Sequence, residues 1–106
     1  MSATFDIVRR RIEAGDWRAS DHGLQRLGEH AIIASDLVDG IGSAMVVEDY
    51  PDYHAGPCVL VLQSDRDGAV HVLWGLEKGT DRPAVLITAY RPDREHWQDD
   101  NRTRRP

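Results

Sequence analysis

Residues Cys58–Leu76 read CVLVLQSDRDGAVHVLWGL. Two runs rich in apolar and β-branched residues, Cys58–Gln63 and Val70–Leu76, flank Asp65-Arg66-Asp67-Gly68. Asp-Gly accepts positive φ at little cost, so the pattern predicts a β-hairpin. Working outward, Met45–Glu48 gives a shorter strand signal that ends at the turn Asp49-Tyr50-Pro51-Asp52. Ala84–Tyr90 gives a last strand after the turn Gly79-Thr80-Asp81-Arg82-Pro83, and Pro92 ends it because proline has no N–H to donate.

Before residue 44 the period is helical. Phe5, Val8 and Ile12 predict a helix over 4–14, with Arg9-Arg10-Arg11 outside and Gly15 as the stop. Trp17 opens a short connection. Ser20 or Asp21 caps a second helix over 21–30, with Leu24 and Leu27 as its apolar stripe. Ser35 or Asp36 caps a third over 35–42, with Leu37, Val38 and Ile41 inward. The expected fold class is α+β, with N-terminal helices packed on one face of a four-stranded antiparallel sheet. Residues 1–100 are expected to form one domain, and 101–106 a flexible tail that frays.

Composition narrows the classes further. The chain has 106 residues, the length of one domain, and 41% hydrophobic with 29% charged residues excludes wholesale disorder and low-complexity character. The longest apolar run, Cys58–Leu62, is far short of the ~20 residues that cross a bilayer. The N-terminus has no apolar core of a signal peptide. One cysteine makes no internal disulfide, so a reducing cytoplasm is the expected location, away from any membrane.

The formal net charge of −5 is unevenly placed. Residues 1–30 carry five arginines against five acids, 31–90 three basic against nine acidic side chains (net −6), and 91–106 five arginines against four acids. Such a chain has no overall field drawing it to nucleic acid, and any such binding needs a local basic patch.

Few residues stand out chemically. His22 and Arg26 are four apart on the second helix and lie off its apolar stripe. A cationic histidine in the first turn opposes the helix dipole, so a neutral imidazole beside a guanidinium is expected. That pairing fits either a proton-transfer group beside a phosphate clamp or a solvated polar face. His71 interrupts an apolar strand and points away from Val70 and Val72. Pairing through the 77–83 loop would set His71, Thr88 and Tyr90 on one sheet face, with Leu86 on the side of Thr88. His71 reads equally as a core imidazole bonded to a carbonyl. Arg91 and Asp93 follow the strand end, where side chains readily line a site, although Asp93 also fits as the cap of the turn containing Trp97. Trp97 reads as an apolar lid, and Trp17 and Trp74 as packing. The five histidines show no metal-ligand spacing and there is no cysteine pair, so no metal and no other cofactor is expected. Cys58 starts an apolar strand and reads as inert packing.

Taken together, Ser20-Asp21-His22-Gly23-Leu24-Gln25-Arg26, Ile32/Ile33 with Asp36-Leu37, Glu48-Asp49-Tyr50-Pro51, His71-Val72, and Thr88-Ala89-Tyr90-Arg91-Pro92-Asp93 with Trp97 resemble a family of small bacterial proteins, the domain of unknown function 4258. The resemblance spans roughly residues 5–97. Gly23 departs from the family's preference for a small helix-former and is expected to weaken the helix start. A second arginine often seen in the family is missing from Leu27-Gly28-Glu29-His30. The layout implied is similar to RelE-like and barnase-like ribonucleases, and members of the family look like toxin halves of toxin–antitoxin pairs. The resemblance thus implies a metal-independent endoribonuclease with an antitoxin partner and an RNA substrate. His22, Arg26, His71 and Tyr90 would be catalytic, and Arg26, Arg91 and Thr88 would bind phosphate. The alternative is a non-catalytic protein-interaction module whose acidic middle segment docks a basic partner.

Overall fold

A computed structural model describes residues 2–106. Helix α1 spans Ala3–Glu13, its end N–H of Phe5 accepted by the Ser2 hydroxyl at 3.0 Å. Strand β1 (Trp17–Ala19) precedes helix α2 (Asp21–Glu29), helix α3 (Ala34–Asp39) and a 3₁₀ turn at Ile41–Ser43. Strands β2 (Met45–Tyr50), β3 (Cys58–Asp65), β4 (Gly68–Leu76) and β5 (Ala84–Tyr90) follow. The class is α+β, and no described helix is long and apolar enough to cross a membrane.

The sheet has five strands in the order β1-β5-β4-β3-β2, not four. The four expected strands form the antiparallel meander, with Asp65 paired to Gly68 across the predicted hairpin turn. The addition is β1, which runs parallel to β5 and pairs Trp17 with Ala84 and Ala19 with Leu86. Trp17, Arg18 and Ala19 do alternate, but three residues are too few to read as a strand. The pairing rests on backbone bonds from Ala84 N–H to Asp16 and from Ser20 N–H to Leu86, both 3.0 Å.

Alternation gives the sheet two unlike faces. One carries Val59, Val61, Val70, Val72, Trp74, Leu86 and Ala89, packed against Val8 and Ile12 of α1, Leu27 of α2, Leu37 of α3 and Ile41. Within this core Gln63 joins two layers: its amide donates to the Leu37 carbonyl at 2.8 Å and accepts from the Trp74 indole at 3.0 Å. The other face carries Leu60, His71, Leu73 and Tyr90. Between them, β5 has an extra residue opposite Leu73/Trp74. Leu86 therefore faces Trp74 in the core while Thr88 and Tyr90 face the other way, which corrects the expectation that Leu86 shares their side.

Two further expectations change. The inward stripe of α2 is Gly23 and Leu27, and Leu24 is 58% exposed. No side chain caps α3, whose N-cap is Ile33 rather than Ser35 or Asp36. Ser20 does cap α2, accepting from Gly23 N–H at 2.9 Å while donating to the carbonyls of β5. This draws the helix so close that a Cβ on Gly23 would lie 2.4 Å from the Leu86 carbonyl oxygen. Glycine is there for close approach, not as a defect of the helix start. Gly23→Ala should cost ~1–3 kcal/mol in a urea unfolding curve, because the obstacle is backbone. A gain of ~1 kcal/mol, the plain helix-propensity result, would contradict this packing.

Candidate functional site

His71 is fully buried, yet it stands outside the apolar core on the second face. Its Nε2 lies 2.6 Å from the Asn101 carbonyl, and its Nδ1 lies 3.1 Å from the Tyr90 hydroxyl. A carbonyl only accepts, so Nε2 carries the proton and Nδ1 accepts from Tyr90. The register places Tyr90 directly opposite His71. Trp97, 3% exposed, covers the imidazole edge-on with ring centroids 4.4 Å apart.

A charged pair completes this patch. Glu48, on β2, receives two bonds of 2.7 Å from the Arg104 guanidinium and a short bond from the Tyr50 hydroxyl. Arg104 also stacks over Trp97, 4.5 Å from the ring centroid. The Arg104 bonds hold the Glu48 carboxyl down at about 2. Burial above all, helped by the Arg104 charge and opposed by the Asn101 bond, holds His71 below the ordinary histidine range. Burial likewise raises the Tyr90 phenol. Glu48, Tyr50, Trp97 and Arg104 were not singled out together from sequence; a Glu two residues before a Tyr on an edge strand was the only local signal.

Residues 92–105 thus form a strap over the sheet. The segment 101–106, expected to be a flexible tail, is engaged: Gln98 N–H donates to Thr103 and Arg105 N–H to His96, both at 2.8 Å, closing a small hairpin. Asp93 caps the turn before Trp97 and bonds the His96 ring at 2.8 Å.

The remaining predicted residues lie elsewhere. His22 and Arg26 are together on the outer side of α2, where Arg26 Nε approaches His22 Nε2 at 3.4 Å. The same guanidinium is held by Glu29 at 2.8 Å. Neither residue bonds His71, Tyr90 or Arg91. Thr88 lies opposite Leu73, on the face of Tyr90. Arg91 grips Asp65 through two bonds of 3.0 and 2.8 Å, and the Asp65 side chain is almost wholly buried beneath it. Among the described residues, no three His, Cys, Asp or Glu side chains are grouped to hold a metal ion.

Beyond the strap the second face stays open. Tyr50, Tyr53, Cys58, Leu73 and Ile87 line a hollow of about 210 Å³. Tyr53 is 51% exposed at this end of the sheet, while Asp49 pairs with Val59 and so projects to the opposite side from Glu48 and Tyr50.

The buried imidazole makes stability fall in mild acid. Its folded pKa lies below the unfolded value of 6.5, so the unfolded chain takes the proton first and stability drops as pH falls through that value. Glu48 acts lower, its contribution present above the unfolded 4.5 and lost as pH falls toward about 2. The wild-type melting temperature should therefore fall between about pH 7.5 and about pH 5.5, and by less in His71→Gln. Equal slopes for the two proteins would contradict the desolvated imidazole.

No curated protein and no solved structure matches the chain, so the RelE-like and barnase-like likeness finds no counterpart there. The family model described as domain of unknown function (DUF4258) matches residues 19–91, from the end of β1 through Arg91, and the chain belongs to that family.

Proposed function

We propose that the protein is a non-catalytic protein-interaction module that uses the acidic, aromatic end of its second sheet face. One observation carries the reading: an arginine and a tryptophan from the chain's own strap are already seated there, on Glu48 and His71. The acid surplus of the middle segment also supports it. Asp36 and Asp65 are used up by Arg66 and Arg91, whereas Glu48, beside Tyr50 on this face, is held by the strap's own arginine. Such charges steer association and choose partners more than they add affinity.

A second reading, a metal-independent endoribonuclease toxin acting beside an antitoxin, has its own observation. Glu48, His71, Tyr90 and Arg104 lie in one patch, and those residue types serve acid–base chemistry and charge stabilisation. Against it, both His71 nitrogens are engaged, Arg91 is bound by Asp65, and His22 and Arg26 stand apart.

Two assays divide the readings. A fluorescent peptide of alternating arginine and tryptophan should bind the intact protein. It should lose at least ~tenfold in affinity in Glu48→Gln, and weaken with added salt. Total RNA incubated with the purified protein should stay intact. RNA cleavage that disappears in His71→Gln or His22→Gln, with peptide binding absent, would replace the module by the nuclease.

A further inference from the structure

The match to the family ends at Arg91, and the strap begins with the next residue. What covers the second face thus lies just beyond the matched stretch. Its attachment is narrow. Trp97 is its one buried side chain, and Asn101 and Arg104 supply the other anchors to His71 and Glu48. The remaining bonds of the strap run within itself, from Asp100 to Arg102 and Thr103 and between the two arms of its hairpin. A segment with one buried side chain and mostly exposed backbone belongs to the low end of local stability. It can open as a unit while the sheet and its helical core stay folded.

The face also continues past the strap, into the hollow beside Tyr50 and Tyr53. A partner segment lying along the whole face would keep the strap's contacts and add those of the hollow. This is what lets an intermolecular ligand overcome a tethered one, despite the high effective concentration of the tether.

We propose that residues 92–106 are an internal pseudo-ligand, an autoinhibitory strap that must leave before a partner segment bearing an aromatic ring for His71 and an arginine for Glu48 can dock. This rests on the interaction-module reading and names how that site is regulated and what it recognises. The apparent affinity is then the intrinsic affinity reduced by the fraction of molecules with the strap open. Weakening the strap should raise affinity for an added ligand, whereas removing the acceptor on the sheet should lower it.

The probe is a labelled synthetic peptide copying residues 92–106, titrated by fluorescence anisotropy into the full chain. Arg104→Ala in the protein removes the strap's charged anchor and leaves the peptide's own arginine intact. Binding should tighten about tenfold relative to wild type, with Arg104→Lys between the two because lysine lacks the bidentate fork. Adding Glu48→Gln to Arg104→Ala should abolish the gain. Melting temperatures of all variants establish that the fold persists, as expected for changes outside the helical core. Equal, Glu48-dependent binding to wild type and Arg104→Ala would overturn the strap as competitor while leaving the docking face in place. No binding to any variant, together with no binding of the arginine–tryptophan peptide, would overturn the face and the strap alike.

Discussion

A histidine in the middle of an apolar strand needs a partner for each ring nitrogen once water is gone. His71 finds one on the neighbouring strand, the Tyr90 hydroxyl, and the other on a segment 30 residues away, the Asn101 carbonyl. No buried side-chain nitrogen or oxygen among the described residues lacks a hydrogen bond. The strap is therefore tied to the sheet where it supplies the second hydrogen bond of a buried imidazole. Trp97 and Arg104 follow from it: the ring excludes water from the imidazole, and the guanidinium over the ring reaches Glu48 two strands away.

The same constraint separates two kinds of charge on this molecule. Asp65–Arg91 and Glu48–Arg104 are each bidentate, and Asp65 is nearly enclosed. These pairs place the ends of β5 and of the strap. Ion pairs on open helix surface, such as Arg26–Glu29, contribute little to stability. Arginine at the end of the last strand suits a phosphate clamp in residue type, but here its fork is filled by a carboxylate from the hairpin turn. The chemistry of a residue type and its occupancy in the fold are separate questions, and Arg91 answers only the first in favour of anion binding.

The antiparallel meander was legible because its strands alternate or run apolar between turn residues, and because Asp67-Gly68 marks a tight hairpin. The placing of His71, Thr88 and Tyr90 on one face followed from that meander, while the direct pairing of His71 with Tyr90 came only from the structure. Strand β1 was not legible, since a parallel edge strand of three residues is defined by backbone bonds to β5 and not by its own side chains. The bulge in β5 was equally silent, and it reversed the side assigned to Leu86. On α2 the two leucines drew the apolar stripe toward Leu24, whereas the closest contact is made by a residue with no side chain at all, Gly23. Trp97 was legible as a lid and Asp93 as the cap of its turn, whereas the engagement of Asn101 and Arg104 escaped the sequence because their polar, arginine-rich stretch matches a solvated tail.

Native-state hydrogen exchange resolved by residue tests the central claim most directly. The amides of Gln98 and Arg105, which close the strap hairpin, should exchange through an opening well below the free energy of global unfolding, while amides in the β3–β4 ladder exchange only with the whole fold. If the strap amides are protected to the same degree as the ladder, the strap is an integral part of the fold and not a displaceable cover.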